Sequence, residues 1–196
     1  MAVTYHLNQF PPKTLNLVQL IPLIGPAQAA LARSAGILQA IPNPQVLLSP
    51  LTAQEAVLSS RIEGTQATLG EVLRVEAGDE DITITPEKRN DAEESLNYRK
   101  ALWNAVNGLE RLPLSQRLLK EAHATLLQGV RGRNKDPGQY RSIQNYIGMA
   151  GCTLETARFV PIAPNLLNEG MSNWEKFIHT DFSDALVQLA IVHAEF

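Results

Sequence analysis

The sequence has 196 residues, with 17 Lys and Arg against 20 Asp and Glu, which gives a formal net charge of -3. This acidic balance argues against a polyanion-binding surface, so no nucleic-acid partner is expected. The single cysteine, Cys152, excludes an intramolecular disulfide and a thiolate metal cage, as is typical of a reducing compartment. We therefore expect a cytoplasmic protein whose core needs neither disulfides nor metals.

The N-terminal region gives no sign of a membrane protein. It lacks the basic start and apolar run of a signal peptide, and Pro22 and Pro26 interrupt its longest apolar stretch. No membrane partner is expected. A helix is predicted to begin after Pro26 and to end at the breaker Ile41-Pro42-Asn43-Pro44.

Two capping boxes follow this breaker. Thr52 with Glu55 predicts the start of a helix that ends near Gly64, and Thr68 with Glu71 predicts the start of a short helix after it. The acidic run Glu76 to Asp81 then favours a solvated loop over a metal site, because its carboxylates lack a spacing that would converge them.

The next two helices have clear starts. Thr85 followed by Pro86 begins a helix that runs to Gly108, and Ser115 caps the one after it. We expect the first of these helices to bury one stripe of residues, namely Ala92, Leu96, Trp103 and Val106.

Residues 129–164 are rich in glycine and predict a loop with a short hairpin. A basic cluster lies in this region, and it lacks the order of a P-loop, so a solvated loop is favoured over a phosphate cradle. The cluster comprises Arg131, Arg133, Lys135 and Arg141. Two further helices are predicted from four-residue stripes. The stripes are Leu167, Met171, Trp174 and Ile178, then Ala185, Leu189, Val192 and Phe196.

One short pattern stands apart from these structural signals. Ser59 and Glu63 are four residues apart, so their side chains rise from one face of a helix. Gly64 then supplies the left-handed residue that often ends a helix. An ordinary helix end with a solvated carboxylate explains the same spacing.

Further segments give the pattern a context. The segment from Glu55 to Thr65 is followed by Gly138-Gln139-Tyr140-Arg141-Ser142-Ile143-Gln144-Asn145-Tyr146-Ile147-Gly148 and by Arg158-Phe159-Val160-Pro161. In this order and spacing the chain resembles the Fic family. The resemblance implies a mainly α fold, a Fic-like helical bundle with a short β-hairpin flap. It also implies a Fic-associated N-terminal region at 1–84, with an inhibitory helix near 52–64, and an incomplete N-terminal part of the Fic core at 85–196.

The resemblance implies a protein adenylyltransferase that moves AMP from ATP, with Mg²⁺, onto a Tyr, Ser or Thr hydroxyl of a protein target. The inhibitory residues would be Ser59, Glu63 and Gly64, with Glu63 at the ATP site, paired with the arginine that grips the γ-phosphate. Ser59 is expected to steady the Glu63 end of the helix by a hydrogen bond.

The family's catalytic loop, His-Pro-Phe-x-Asp-Gly-Asn-Gly-Arg, does not occur in the sequence. His193 is followed by Ala194 and is not the motif histidine. We therefore expect no catalytic residue, no metal ligand and no tight ATP or Mg²⁺ binding in this chain, which we expect to end before the loop and to be inactive alone.

The flap edge implied by the resemblance comprises Arg158, Phe159, Val160 and Pro161, and it would dock an extended segment of the target. Ile162 stands where a second proline is common in the family, which leaves target choice open. The alternative to an enzyme is a shortened, antitoxin-like binding module that offers the Glu63 helix to a partner. No pattern indicates an oligomeric state.

Overall fold

A computed structural model describes residues 2–79, 83–130, 134 and 136–196. Over these residues the chain is mainly α-helical, as predicted. Its seven α-helices are α1 (Leu17–Gln39), α2 (Pro44–Ile62), α3 (Leu69–Glu76), α4 (Pro86–Gly108), α5 (Gln116–Leu126), α6 (Leu167–Ile178) and α7 (Ala185–Glu195). Two short strands, β1 (Val3–Thr4) and β2 (Phe159–Val160), pair with each other, and a 3-10 turn at Pro164–Leu166 precedes α6.

The chain forms two compact units. The first contains Met1–Gly36 and Tyr140–Phe196, and the second contains Ile37–Gln139. The division at residue 84 that the sequence suggests stays a prediction. None of the helices in the described ranges is long and apolar enough to cross a membrane.

The core of the second unit forms where α2, α3 and α4 meet. Its buried cluster comprises Val57, Ala67, Val72 and Ala92. Small residues dominate the contact, since Ala56 of α2 and Ser95 of α4 are both 0% exposed. Small side chains let two helix backbones approach closely, so α2 is held firmly against α4.

Three of the predicted helix starts are confirmed. The Thr68 hydroxyl accepts the Glu71 N–H while the Glu71 carboxylate accepts the Thr68 N–H at 2.7 Å, which completes the capping box of α3. Thr85 accepts the N–H of Lys88 at the start of α4, and Ser115 caps α5 in the same way. Each cap satisfies an N–H that has no partner within the helix.

The predicted start at Thr52 is wrong. The helix α2 begins eight residues earlier, at Pro44, whose fixed φ suits the first helical position. Thr52 therefore lies within α2, where its hydroxyl donates to the Ser49 carbonyl at 2.9 Å. This back-bonding is the usual solution for a threonine inside a helix.

The predicted start of the first helix is also wrong. The helix α1 begins at Leu17 and contains both Pro22 and Pro26. Each proline removes one N–H donor from the helix. No residue of α1 is buried, so water can reach the carbonyls that those donors would have served.

The buried stripe predicted for α4 is confirmed only in the first half of the helix. Ala92 is buried and Leu96 packs against the core, but Trp103 is 68% exposed. The far end of α4 instead turns Gly108 inward, where a Cβ would lie 2.7 Å from Leu118 Cδ1 of α5. The face of α4 that is buried depends on the helix packed against it, and sequence periodicity does not identify that helix.

In the first unit, α6 and α7 bury aromatic and aliphatic side chains together. Trp174 is 5% exposed, and its indole N–H donates to the Val192 carbonyl at 2.9 Å. The stripe predicted for α7 is partly wrong, because Leu189 and Phe196 are exposed while Val187 is buried. This helix is apolar on most sides, so its sequence does not specify a face.

The predicted hairpin is present in a minimal form, because Ile147 forms an antiparallel bridge with Phe159. The strand β1 was not predicted. It runs parallel to β2, with Val3 opposite Phe159 and Thr4 opposite Val160. A two-residue strand gives almost no periodic signal in a sequence, so this pairing needed the structure.

The capping box offers a test of the corrected helix boundaries. We expect Thr68→Ala to lower the free energy of unfolding by about 1 kcal/mol, because the Glu71 N–H loses its acceptor. Urea unfolding followed by circular dichroism measures this. Thr52→Ala is the matched control, and it should leave the midpoint nearly unchanged because Thr52 caps no helix. An equal loss in both variants would contradict the α2 boundary.

The Glu71 carboxylate should make stability depend on pH. Its hydrogen bonds with Lys88 and Thr68 lower the pKa of Glu71 to about 2. A lowered pKa stabilises the fold above the unfolded value, near 4.5, and this stabilisation is lost as the pH falls towards 2. Unfolding of the parent and of Glu71→Gln at several pH values should show a stability difference that shrinks between about pH 5 and 2. A constant difference would contradict this assignment.

Candidate functional site

The pattern Ser59 to Gly64 lies at the C-terminal end of α2. The last helical residue is Ile62, and Glu63 follows as the cap, with its N–H donating to the Ser60 carbonyl at 3.0 Å. Gly64 has a φ of +100°, the left-handed conformation expected from the sequence. The chain therefore turns sharply at the point where the Glu63 side chain leaves the helix.

The Glu63 carboxylate is exposed, and it has no hydrogen-bond or ion-pair partner among the residues that the structure describes. Its neighbour Ile62 is 86% exposed, so the helix end is open to solvent. The free carbonyls at this end carry partial negative charge. A carboxylate is unfavourably placed there, whereas an arginine binding from outside would be attracted by both the carboxylate and the helix end.

Ser59, which was expected to steady the Glu63 end of the helix by a hydrogen bond, forms its bond with Glu55. Its hydroxyl donates to Glu55 Oε1, one turn earlier on the same face of α2. The Tyr98 hydroxyl of α4 donates to the same oxygen at 3.1 Å. Burial, with the nearby Glu55 carboxylate, raises the pKa of Tyr98, so its hydroxyl stays a donor at neutral pH. Ser59 thus belongs to a contact that ties α2 to α4.

Tyr98 is a residue that sequence reasoning missed. It lies within a strongly polar stretch of α4, and nothing in the spacing of that helix sets it apart. Its role depends on Glu55, which is 43 residues away in the sequence. The predicted capping role of Glu55 is wrong for the same reason, since its carboxylate serves Ser59 and Tyr98.

The segment after Gly64 is fixed to α4 by a buried carboxylate. Asp91 is 6% exposed, and its Oδ2 accepts the Gln66 N–H at 2.6 Å. Thr65 and Ala67, on either side of Gln66, are each 1% exposed. Both ends of the turn at Glu63 and Gly64 are therefore anchored, and the exposed carboxylate extends from this anchored backbone.

The predicted docking residues lie in the first unit, whereas Glu63 lies in the second. Phe159 and Val160 form β2, which has a neighbour on each side. The N–H of Ile147 donates to the Phe159 carbonyl at 2.9 Å, and the N–H of Tyr5 donates to the Val160 carbonyl at 2.9 Å. The edge expected to receive a target segment is therefore occupied by the N-terminal strand of this chain.

Two other charged candidates, Arg141 and His193, lie among the residues that the structure describes. Arg141 donates to the carbonyls of Ile143 and Ile162, so it supports the hairpin, and burial lowers its pKa. His193 is exposed on α7. The described ranges contain no group of three or more His, Cys, Asp or Glu side chains that could hold a metal ion. Residues 80–82, 131–133 and 135, which include part of the acidic run and most of the basic cluster, lie outside the described residues.

Part of the chain matches a known protein family. A model described as Fic/DOC family N-terminal matches residues 21–107. The matched segment contains α2 with Ser59, Glu63 and Gly64. It also contains two residues of α4, Asp91 and Tyr98, which bond to the turn after α2 and to α2 itself. This match supports a Fic family protein, and over residues 21–107 the chain is similar to the N-terminal region of the Fic/DOC family.

Proposed function

We propose that this chain supplies the regulatory part of a Fic-type protein adenylyltransferase, which transfers AMP from ATP to a Tyr, Ser or Thr hydroxyl of a protein target in the cytoplasm. In this proposal Glu63 inhibits the transfer. The observation that carries the proposal is the exposed Glu63 carboxylate, which stands without a described partner at the end of a firmly anchored helix.

The proposed inhibition is a competition for one guanidinium group. An arginine of the catalytic loop would bind the γ-phosphate of ATP, and a carboxylate offers the same planar, paired acceptors. While Glu63 holds that arginine, the triphosphate loses a partner and the α-phosphate is misaligned for attack. A displacement of about 1 Å from a reactive geometry can lower a rate by about 10²-fold.

Helix placement strengthens this competition. The negative end of α2 adds to the attraction that the Glu63 carboxylate exerts on an arginine. Ser59, Glu55 and Tyr98 hold the last turns of α2 in one orientation against α4. A carboxylate whose support is already ordered loses little entropy when the ion pair forms.

In this proposal ATP and Mg²⁺ bind outside the described residues of this chain. No cluster of carboxylates or imidazoles suited to a metal is present among them. The loop motif that would supply the general base, the metal ligand and the phosphate-binding N–H groups is not in the sequence. We therefore assign no catalytic step to residues of this chain, and ATP and Mg²⁺ would bind where a catalytic loop is supplied.

The exposure of Glu63 also favours a second candidate function. A carboxylate that is open to solvent can reach the arginine of another chain as readily as one of its own. The chain would then act as an antitoxin-like module that inhibits a separate Fic enzyme. Adding the 196-residue chain to a Fic enzyme that lacks an inhibitory helix separates the two candidates. Inhibition in trans that is lost in Glu63→Gly favours the module, and an unchanged rate favours regulation in cis.

We predict that the 196-residue chain alone transfers no AMP and binds ATP weakly. Incubation with labelled ATP and Mg²⁺, with the chain itself and a cell lysate as acceptors, should leave no label above a heat-denatured control. Isothermal titration should give a dissociation constant weaker than about 100 μM, because positioned donors give phosphate affinity. Stable labelling, or low-micromolar binding, would show that a nucleotide site lies within these residues.

We predict that Glu63→Gly raises AMP transfer by about tenfold or more where a catalytic loop is joined to this chain, because the γ-phosphate regains its arginine. Glu63→Gln should activate similarly, since it removes the charge and keeps the shape. Ser59→Ala should activate more weakly, because it only loosens the contact between α2 and α4. Initial rates of target labelling measure all three.

The matched control for Glu63→Gln is Glu110→Gln, which removes an exposed carboxylate after the end of α4. Its rate should equal that of the parent. If Glu63→Gly and Glu63→Gln label the target at the parental rate while circular dichroism shows that both are folded, Glu63 is not inhibitory.

A further inference from the structure

The residues that follow β1 contact the last turn of α7. The Tyr5 hydroxyl donates to Oε1 of the Glu195 carboxylate, and Nε2 of the His6 ring lies 2.8 Å from Oε2 of the same carboxylate. The rings of Tyr5 and His6 also contact each other, with their centroids 4.6 Å apart. Two consecutive side chains near the start of the sequence thus bind both oxygens of one carboxylate at the end of α7.

Glu195 is unfavourable at its position unless it has partners. Its side chain is only 9% exposed, and a buried carboxylate costs free energy unless it is hydrogen-bonded or paired. It is also the last residue of α7, where the free carbonyls of the helix end repel a negative charge. Within the described residues, the partners that offset both costs are Tyr5 and His6.

Tyr5 is the stronger of these two partners. Burial raises the pKa of the Tyr5 hydroxyl, and the hydrogen bond and the charge of Glu195 raise it further, so the hydroxyl stays a donor at neutral pH. The His6 side chain is 47% exposed, so water competes for its contact with the carboxylate. We therefore expect the Tyr5 hydroxyl to provide most of the support for Glu195.

Other contacts fix the position of Tyr5. Its N–H donates to the Val160 carbonyl of β2 at 2.9 Å. Further along the same segment, the Phe10 ring packs edge-on against Phe177 of α6, with the ring centroids 5.3 Å apart. The hydroxyl is therefore presented to α7 from an ordered segment, which lowers the entropy cost of the bond to Glu195.

The last turn of α7 has little other support. The indole N–H of Trp174 holds the Val192 carbonyl at 2.9 Å, one turn before the end of the helix. His193 and Ala194 are exposed, and Phe196 is 73% exposed although its ring lies near that of Trp174. Helix ends fray where nothing holds them. The bond between Tyr5 and Glu195 is therefore the main attachment of this turn.

We propose that Tyr5 is a positioning residue for the transfer of AMP, which holds Glu195 and with it the last turn of α7 in one orientation. This role rests on the proposed function, in which a catalytic loop is joined after Phe196. A loop that continues from this turn takes its direction from it, and a misplacement of about 1 Å can lower a rate by about 10²-fold. The attachment itself rests only on the contacts of Tyr5 and Glu195.

Hydrogen exchange on the 196-residue chain tests the attachment without ATP. Tyr5→Phe keeps the ring and removes the hydroxyl, so the buried carboxylate of Glu195 loses a donor. The amides of Ala194 and Glu195 should then exchange at least about tenfold faster than in the parent, while the amide of Ala190, in the middle of α7, keeps its rate. Unchanged rates at Ala194 and Glu195 would overturn the proposal. A rise that includes Ala190 equally would also overturn it, because the hydroxyl would then stabilise the whole unit.

The matched control is Tyr146→Phe, which removes the hydroxyl of a tyrosine that is 42% exposed in the same compact unit. It should leave the exchange of the Ala194 and Glu195 amides at the parental rate. A rise equal to that in Tyr5→Phe would mean that the effect is not specific to the contact with Glu195, and the proposal would fail.

A rate measurement tests the positioning role where a catalytic loop is joined after Phe196. Tyr5→Phe should lower kcat by at least about fivefold and change KM for ATP by less than about twofold. The reason is that the general base and the phosphate-binding groups lie in one loop and move together, while their alignment with the acceptor hydroxyl is lost. An unchanged kcat would overturn the role of Tyr5 in transfer.

A second background shows whether Tyr5 acts through Glu195. In Glu195→Ala, the further change Tyr5→Phe should have no effect on kcat, because the residue that it holds is absent. The same fivefold loss in both backgrounds would contradict the proposal. A loop-joined protein that transfers no AMP even as Glu63→Gly would contradict the proposed function and the role of Tyr5 in transfer, whereas the exchange rates would still decide the attachment.

Discussion

The left-handed backbone at Gly64 is the constraint on which the arrangement around Glu63 depends. With φ at +100°, this residue ends α2 and sends the chain back towards α4. A Cβ at Gly64 would meet no atom within 4 Å, so the restriction lies in the backbone torsion and not in the available space. The turn places Thr65 and Ala67 in the core and leaves the Glu63 carboxylate outside it. The backbone torsion of Gly64 thus lies between the exposed Glu63 and the buried residues Thr65 and Ala67.

The same segment shows a local conflict that a purely structural sequence would avoid. The C-terminal end of a helix favours a cation, yet Glu63 places a carboxylate there. The buried Asp91, in contrast, accepts the Gln66 backbone N–H. The two acidic side chains therefore differ in their surroundings, because Asp91 stabilises the turn and the Glu63 carboxylate has no partner among the described residues. Local conflicts of this kind are expected where selection acts on binding.

Local rules predicted part of this structure from sequence. The caps at Thr68, Thr85 and Ser115 and the left-handed Gly64 follow from interactions within four residues, and all are present. The start at Thr52 failed because an earlier signal, Pro44, began the helix first. Neither Tyr98 nor β1 could be predicted, because each acts through a partner far away in the sequence, and a single sequence contains no measure of such distances. The position and exposure of Glu63 were predictable, whereas the support beneath it was not.

The protein contains two tryptophans, and the structure gives them opposite surroundings. Trp174 is 5% exposed in the first compact unit, while Trp103 is 68% exposed in the second. Indole emission shifts to longer wavelength in water, so Trp103 already emits as a solvated indole in the folded protein. Any red shift during unfolding must then come from Trp174, whose N–H is bonded to the last turns of α7. The wavelength shift of tryptophan emission therefore reports on the first unit, whereas aqueous quenchers such as iodide would act mainly on the emission of Trp103 in the second.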